Sequence, residues 1–415
     1  MPTPAPAPVP TTARTTDRTT EHAAERTTDR TTVRRPRRVA VAGVALADCG
    51  RVDEATPYAL HAQAARRALA DSGLDRSLID GLASAGLGTL APVEVAEYLG
   101  LRPRWVDSTA VGGATWEVMA GHAADAIAAG HANAVLLVYG STARADIRAR
   151  RRTANLSFGA RGPLQFEAPY GHTLIAKYAM AARRHLHTYG TTLEELAEVA
   201  VQARANAALN PEAMFRDPIT VDDVLSGPMI ADPFTKLHCC IRSDGGCAVL
   251  LVAEEYVQDC RTAPVWVLGT GEHASHTTMS EWEDFTVSPA AVSGRLAFER
   301  AGVRPSDIDV AEVYDAFTYM TLVTLEDLGF CPKGEGGAYL REKDRVPVNT
   351  DGGGLSACHP GMRGLFLLVE AVRQLRGEAP GLQVRRPDGS LPELAVASGT
   401  GGWFCSSGTV VLGRA

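Results

Sequence analysis

The chain has 415 residues, of which 45% are hydrophobic, which is enough to bury one large core or two of medium size. Its formal charge of −7, without a basic face, argues against nucleic-acid binding. No apolar run reaches the roughly 18 residues that suggest a membrane span, and the 8 cysteines form no CxxC pair and follow no secretory leader. We therefore expect reduced thiols in a cytoplasmic enzyme, with neither a disulfide framework nor a metal site.

Residues 1–38 differ in composition from the rest of the chain. They are rich in Pro and Ala, then in Thr, Arg and Asp, and the sequence TTDRTT begins at both Thr15 and Thr27. Since no apolar face can be drawn through them, they are predicted to form a disordered tail. The acidic residues in this stretch argue against a transit peptide.

The remaining sequence contains two similar halves. Val39–Gly43 and Val265–Gly269 are both short apolar runs typical of buried strands. Each run is followed by a helical pattern that stops at a glycine, Gly73 in the first half and Gly302 in the second. A turn led by Ser and Asp then enters another strand.

A second helix and a second strand follow in both halves. The helical patterns cover Ala114–Ala129 and Leu365–Arg376, and apolar strands begin after them at Ala134 and Leu394. Alternating helices and nearly all-apolar strands predict an α/β fold whose sheets are buried on both faces. The assigned halves are residues 39–263 and residues 264–415.

One stretch, residues 143–233, has no counterpart in the second half. It opens with a basic segment that contains Arg144, Arg148 and Arg151. A helix is predicted from about Thr173 to His187, and a capping box at Thr191–Glu194 opens the next helix. We expect a loop subdomain over the first half, whose arginines either hold a phosphorylated ligand such as coenzyme A or face solvent.

Two segments contain the residues best suited to chemistry. The first, EVYDAF, includes Tyr314 and Asp315, and the second, VNTDGGGLSACHPGMRG, includes Cys358 and His359. A single histidine is usually structural. His359, however, lies between a glycine-rich run and Pro360–Gly361, where backbone can approach a ligand closely.

Together these motifs resemble the thiolase superfamily, and more narrowly the branch called nonspecific lipid-transfer protein or sterol-carrier-protein-x thiolase-like. The resemblance includes YGTTLEELAEVAVQAR from Tyr189, DPFTKLHCCIRSDGGCAVLLV from Asp232 and LEDLGFCPKGEGG from Leu325. It covers about Val39 to Gly413. It implies a thiolase-like duplicated five-layer α-β-α-β-α core, with the loop subdomain in the first half.

The resemblance also implies where catalytic residues belong, and the sequence departs from the family there. Thiolases use a Cys at the N-terminus of a buried first-half helix, where the helix dipole favours a thiolate. The matching stretch, VDSTAVGGATW, has no Cys, and Ala110 falls nearest to the nucleophile's place. Ser398 lies roughly where the second thiolase Cys belongs, and Tyr314 where the oxyanion-hole Asn belongs. Of the expected groups, His359 alone is retained unchanged.

The candidate catalytic residues are therefore His359, Tyr314, Ser398, Asp315 and Cys358. Tyr314 is either an acid–base group or a core aromatic, and Asp315 either supports a catalytic neighbour or caps a helix. Cys358 is either an alternative thiol nucleophile or a small packing residue. The residues predicted to bind coenzyme A are Gly401 and Gly402, together with the three arginines above.

Without the Cys nucleophile, no acyl-enzyme is expected at the usual place. An imidazole and a phenol still suffice to stabilise an enolate and to move a proton at a β-oxygen, which is aldol or retro-aldol chemistry. Some relatives with an EVYD segment resemble such aldolases, which act on acyl-CoA side chains together with a small OB-fold partner of the DUF35 type. We predict a carbon–carbon lyase of this kind, paired as a homodimer across the edge of the first-half sheet. A condensing acyltransferase and a non-catalytic protein that binds acyl-CoA or lipid remain alternatives.

Overall fold

The strands of the two predicted halves meet within one sheet. The computed structural model describes residues 35–88, 90–149, 162–170 and 173–414. Its strands are β1 (Val39–Leu46), β2 (Gly81–Ala83), β3 (Trp105–Asp107), β4 (Ala134–Ser141), β5 (Met229–Ala231), β6 (Phe234–Thr235), β7 (Gly245–Ala253), β8 (Val265–Ala274), β9 (Val310–Val313), β10 (Leu394–Gly401) and β11 (Ser406–Gly413). The large sheet has the order β3-β2-β4-β7-β1-β8-β11-β10-β9. Among the described residues, its two parts are joined by the pairing of β1 with β8, at Ala40 with Trp266 and Val41 with Val265.

Helices cover the outer faces of the sheet and fill the space between its two parts. In the described ranges they are α1 (Pro57–Ser72), α2 (Ala91–Leu99), α3 (Thr115–Ala128), α4 (Ala143–Arg148), α5 (Leu174–Tyr189), α6 (Leu193–Leu209), α7 (Val221–Leu225), α8 (Ala290–Ala301), α9 (Thr318–Asp327), α10 (Gly336–Tyr339) and α11 (Gly364–Arg376). α1 and α2 pack on the first-half strands, α8 and α9 pack on the second-half strands, and α3 and α11 lie in the core between them. None of these described helices is both long and apolar enough to cross a membrane.

The same close contact between a helix and a strand occurs in both halves. A Cβ on Gly43 of β1 would lie 2.2 Å from the carbonyl oxygen of Ala68 in α1. A Cβ on Gly269 of β8 would likewise lie 2.2 Å from the carbonyl oxygen of Ala297 in α8. Because only glycine lets the two backbones approach this closely, the repeat seen in the sequence is also a repeat in packing.

The sequence signals for helix ends agree with the structure, whereas one predicted helix start is displaced by one residue. Gly73 and Gly302 end their helices in the left-handed region, at φ of 75° and 69°, which confirms the predicted stops. The predicted capping box at Thr191–Glu194 is wrong by one residue, because Thr192 and Glu195 form the reciprocal pair. The sequence TTLEE contains two overlapping Thr-x-x-Glu pairs, and only the chain entry into the helix decides between them.

The N-terminal tail predicted for residues 1–38 overlaps the described structure at its end. Arg37 donates from Nε to the carbonyl oxygen of Ile127 at 2.9 Å, so it is held against the C-terminal end of α3. The folded unit accordingly includes Pro36 and the residues after it. The prediction for residues 1–34 concerns a part of the chain outside the described residues.

Candidate active site

Tyr314 follows directly on the end of β9. Val310–Val313 is buried and pairs in parallel with β10. As the chain leaves the sheet, the Tyr314 N–H donates to the carbonyl oxygen of Ser398 at 3.0 Å. The Tyr314 side chain is buried, with 4% of its surface exposed. The residue therefore lies beyond the carboxyl end of a parallel strand, where α/β folds commonly place ligand sites.

The glycine-rich turn brings His359 to the same place. Asn349 adopts a φ of 48°, and its Oδ1 accepts from the Val313 N–H at 2.8 Å, which ties the turn to the end of β9. Gly352 and Gly353 follow in the left-handed region, at φ of 102° and 66°. Because other residues rarely adopt this conformation, these glycines set the path along which the chain reaches His359.

Tyr314 and His359 meet in a hydrogen bond. Tyr314 Oη lies 3.1 Å from His359 Nε2, and the two rings are perpendicular, at 89°, with centroids 5.7 Å apart. The Arg363 N–H donates to the same Oη at 3.2 Å. Because this donor uses one acceptor position of the phenol oxygen, the phenol proton can point to the imidazole nitrogen. The phenol and the imidazole singled out in the sequence therefore converge.

Both rings are neutral near pH 7. Burial, and after it the positive charge of Arg363, lowers the pKa of His359 to about 4. Burial raises the pKa of Tyr314 well above its usual value near 10, although the hydrogen bond from the Arg363 N–H acts in the opposite direction. The site thus pairs an uncharged acceptor with an uncharged proton donor.

Arg363 is a functional candidate that sequence reasoning missed. Its side chain is buried, with Nη2 2.6 Å from each carboxylate oxygen of Asp351 and Nη1 donating to the Cys358 carbonyl oxygen at 2.8 Å. A buried guanidinium requires such partners. The only feature of the sequence that could indicate a role for Arg363 is its position four residues after His359. Many solvent-exposed arginines also lie close to a functional residue in sequence, so this feature does not distinguish them. Arg363 holds the turn and directs its own N–H at Tyr314.

Asp315 supports the glycine-rich turn. Its Oδ1 accepts from the Gly354 N–H at 2.7 Å and its Oδ2 from the Leu355 N–H at 3.2 Å. The Arg363 Nε lies 3.6 Å from Oδ1. Burial raises the pKa of Asp315 to about 7, even though the Arg363 charge opposes this shift. A Cβ on Gly353 would lie 1.9 Å from Oδ2, so the carboxylate can reach the turn only because residue 353 is glycine.

The Tyr314 ring fills the space in front of α3. In the turn that precedes this helix, a Cβ on Gly113 would lie 2.4 Å from Tyr314 Cζ. Ala110, which we expected nearest to the nucleophile's place, is exposed. The position that faces Tyr314 just before α3 is therefore Gly113, and a side chain there would collide with the phenol.

The side chains of Ser398 and Cys358 do not join the pair. Ser398 Oγ lies 3.0 Å from Thr409 Oγ1 on β11. Cys358 Sγ is buried 3.2 Å from Ser243 Oγ. Within the described residues, neither of these hydrogen-bonded contacts is to Tyr314 or His359, and catalytic roles for Ser398 and Cys358 stay predictions.

The basic segment predicted to bind the cofactor is only partly described. Arg144 Nη1 lies 2.6 Å from Asp53 Oδ1 and 3.3 Å from Asp244 Oδ2, so two carboxylates already share its guanidinium. Arg148 is exposed, and Arg151 lies outside the described residues. A role for these arginines in binding phosphates stays a prediction.

The final glycine run makes close contacts within the protein itself. A Cβ on Gly401 would lie 1.7 Å from the carbonyl oxygen of Val111. Gly402 has a φ of 62°, and its carbonyl oxygen accepts from the Tyr178 hydroxyl at 2.8 Å. These contacts explain why glycine is needed at both positions, while their predicted contact with the cofactor stays a prediction.

A groove of about 530 Å³ runs along α5. Its lining combines apolar and basic side chains, among them Met180, Phe285, Arg183, Arg184 and His187. Arg183 is paired with Asp232. An apolar wall with cationic groups at its rim suits a ligand that has both an apolar part and phosphates.

Comparisons with known proteins place the chain among related sequences. The family model described as thiolase C-terminal domain-like matches residues 271–414. A steroid side-chain-cleaving aldolase of Thermomonospora curvata is 31% identical over 382 residues, which cover 88% of this chain and 96% of that protein. A 17-hydroxy-3-oxo-4-pregnene-20-carboxyl-CoA lyase of Mycobacterium tuberculosis is 31% identical over 380 residues, which cover 88% of this chain and 97% of the lyase.

A solved structure gives the same picture at the level of the fold. The Ltp2-ChsH2(DUF35) aldolase superposes with a TM-score of 0.81 and 28% identity, covering 91% of this chain and 98% of the other. The structural similarity therefore covers most of the chain and is not confined to one half.

Proposed function

Because this chain belongs to the thiolase superfamily, in its sterol-carrier-protein-2 thiolase-like branch, we propose that it is an aldolase that makes or breaks a carbon–carbon bond beside an acyl-CoA thioester. The predicted family and the predicted thiolase-like α/β fold are confirmed. The enzyme class agrees with the relatives named as aldolase and lyase. Their names also suggest the substrate class, an acyl-CoA thioester on a steroid side chain.

The observation that carries the proposal is the hydrogen bond of 3.1 Å between Tyr314 Oη and His359 Nε2. It lies in front of α3, the helix at whose N-terminus the resemblance predicts the thiolase nucleophile, but here Gly113 faces the phenol and offers no side chain to attack a thioester. A proton-transfer pair without a nucleophile suits a reaction in which no acyl-enzyme forms. Aldol cleavage and its reverse meet this condition, since the thioester stays intact throughout.

In the cleavage direction, the substrate is a β-hydroxyacyl thioester. Its hydroxyl proton passes to Tyr314 Oη while the phenol proton passes to His359 Nε2. The bond between the α- and β-carbons breaks, the β-carbon becomes a carbonyl, and the electron pair moves into the thioester as an enolate. The imidazolium of His359 then donates a hydrogen bond to the enolate oxygen. Return of the proton to the α-carbon gives the shortened acyl thioester and restores both side chains.

Arg363 and Asp315 position this pair. The Arg363 N–H, 3.2 Å from Tyr314 Oη, stabilises negative charge that develops on the phenol oxygen during the transfer. The Asp315 carboxylate fixes the N–H groups of Gly354 and Leu355, and through them the turn that holds His359. Both act through other groups and do not touch the reacting carbon atoms.

The acyl-CoA substrate needs a place for its phosphates, and the α5 groove is a candidate in addition to the arginines predicted from the sequence. Arg184 lies in its lining beside the apolar Met180 and Phe285. Replacing Arg184 by Glu is expected to raise KM for an acyl-CoA and to leave kcat unchanged. The matched control is the corresponding thioester of pantetheine, which lacks the nucleotide phosphates and should show no change in KM.

We also propose that the protein works with partner chains. The solved structure that superposes at a TM-score of 0.81 is named as an assembly with a DUF35 protein. A small OB-fold protein of that type is therefore the partner to test, by co-expression and co-purification. Homodimer formation is proposed at β3, an edge strand of the large sheet where Val106 is 49% exposed.

One assay separates the three functions considered. The protein, with and without a co-expressed DUF35 partner, is incubated with a β-hydroxyacyl-CoA, and the products are identified by mass spectrometry. An aldolase releases a ketone or aldehyde together with a shortened acyl-CoA. A covalent acyl adduct on the chain would favour the acyltransferase instead. Binding without any turnover, in the presence of the partner, would favour the lipid-binding alternative.

A further inference from the structure

Two thiols from distant parts of the chain meet beneath the glycine-rich turn. A Cβ on Gly245 would lie 2.8 Å from Cys49 Sγ and 3.1 Å from Cys358 Sγ. Since both distances start at one point, the sulfurs are separated by about 6 Å at most, the sum of the two. Neither thiol is in a disulfide; Cys49 Sγ lies 3.3 Å from the Ala47 carbonyl oxygen, and Cys358 Sγ lies 3.2 Å from Ser243 Oγ. The missing side chain of Gly245 makes the space in which they meet.

The surroundings distinguish the two thiols chemically. Burial raises the pKa of Cys358, but the neighbouring Cys49 thiol, the Ser243 hydroxyl and the charge of Arg363 outweigh it and hold that pKa below its usual value. The neighbouring Cys358 thiol, and then burial, raise the pKa of Cys49 well above its usual value. Because the thiolate is the reactive form, the Ser243 hydroxyl, 3.2 Å from Cys358 Sγ, and the nearby charge of Arg363 favour Cys358 as the thiol that attacks first.

We infer that Cys49 and Cys358 form a site of reversible oxidation, at which hydrogen peroxide converts the two thiols into an intramolecular disulfide. Both residues line one narrow cleft, in which Cys49 is partly exposed and Cys358 is buried. A small oxidant suits such a cleft better than a bulky disulfide reagent. The neighbouring thiol on Cys49 is the resolving group that this chemistry needs.

The reaction proceeds in two balanced steps. The Cys358 thiolate attacks one peroxide oxygen, the O–O bond breaks, and Cys358 becomes a sulfenic acid while hydroxide leaves and takes up a proton. The Cys49 sulfur then attacks the Cys358 sulfur, the S–S bond forms, and the sulfenic oxygen leaves as water with the Cys49 proton. Two thiols are oxidised, and one peroxide is reduced to two molecules of water.

The disulfide is expected to act on His359 through Ser243. Ser243 Oγ lies 3.2 Å from Cys358 Sγ and accepts from the His359 N–H at 2.9 Å. A disulfide brings the sulfurs to about 2 Å, and we expect Cys358 to leave its contact with Ser243 as the two sulfurs approach. The peptide that connects it to His359 then shifts. The shift is expected to lower the activity of the enzyme. That expected loss rests on the proposed function, whereas formation of the disulfide does not.

The first test is chemical and needs no substrate. The purified full chain is treated with hydrogen peroxide, its remaining thiols are alkylated, and it is digested without reduction for mass spectrometry. We expect one cross-linked peptide pair joining Cys49 to Cys358, lighter by two hydrogen atoms than the reduced peptides. Cys49→Ser should abolish it. Cys247→Ser, which removes a third buried thiol near both sulfurs, should leave it unchanged.

The second test measures turnover on the same samples. Oxidation should lower kcat about a hundredfold, the cost of misplacing a catalytic group by about 1 Å, and dithiothreitol should restore it. Cys49→Ser, or Cys49→Ala should the serine variant fail to fold, should keep its activity in peroxide. Alkylated Cys49 and Cys358 after peroxide treatment would overturn the oxidation site. A disulfide that forms without loss of turnover would overturn the coupling between the disulfide and His359. If the chain has no aldolase activity, the cross-linked peptide pair should still be detected by mass spectrometry.

Discussion

Replacing Tyr314 by Phe tests the catalytic pair most directly. The change removes one oxygen atom and keeps the ring that packs against Gly113 and His359. It deletes the hydrogen bond of 3.1 Å to His359 Nε2 and leaves the Arg363 N–H, 3.2 Å away, without this acceptor. The volume of the core changes little, so the effect on chemistry can be separated from the effect on folding.

The two effects differ in size. A positioned proton-transfer group contributes about 10² to 10⁴ in rate, which corresponds to about 3 to 5 kcal/mol in the activation free energy. A buried N–H left unpaired costs about 1 to 3 kcal/mol of stability. We therefore expect kcat for carbonyl release to fall at least about a hundredfold, with a moderate decrease in melting temperature and little change in KM.

The assay is steady-state release of the carbonyl product, measured beside a thermal melt of the same preparation. Tyr319→Phe is the matched control, because Tyr319 is also buried and its hydroxyl donates to the Phe285 carbonyl oxygen at 3.2 Å, away from the pair. That variant should lose stability but retain its kcat. If Tyr314→Phe kept more than about a tenth of the wild-type kcat, the role of the phenol in proton transfer would be refuted.

Three further outcomes are expected. Gly113→Ala should place a Cβ 2.4 Å from Tyr314 Cζ, destabilise the protein by about 1 to 3 kcal/mol and lower activity. Gly121→Ala, within α3, leaves 3.4 Å between the new Cβ and its nearest neighbour and should be tolerated in a thermal melt; equal melting temperatures for the two variants would contradict this. The pH profile of kcat should fall as pH drops through about 4, because the protonated imidazole of His359 cannot accept a proton. Protonation of Asp315, whose pKa is about 7, should add a shallower decrease that Asp315→Asn removes; an acidic limb near 6.5, the ordinary histidine value, that persists in Asp315→Asn would count against the role of His359. Val106→Arg, at the exposed edge of β3, should convert the proposed dimer into monomers in light scattering, and a wild-type monomer would remove the proposal.

Much of the architecture could be predicted because its determinants are local. Apolar runs, the glycine stops at Gly73 and Gly302 and the regular alternation of helix and strand each depend on a few neighbouring residues. Because the same sequence pattern occurs twice, the same packing of a helix on a strand was expected twice. Gly43 makes this close contact with α1, and Gly269 makes it with α8. The one-residue error at Thr192 arose where the local signal was itself duplicated.

The residues of the site were harder to predict, because their roles come from contacts between distant segments. The sequence by itself singled out Tyr314 and His359 among five candidate catalytic residues, and it determined that no cysteine stood near the start of α3. Only the tertiary structure decided that Gly113 faces the phenol, that Arg363 is buried beside it, and that the hydroxyl of Ser398 bonds elsewhere. Burial and hydrogen-bond geometry depend on how elements far apart in the chain pack together, and no local pattern contains that information.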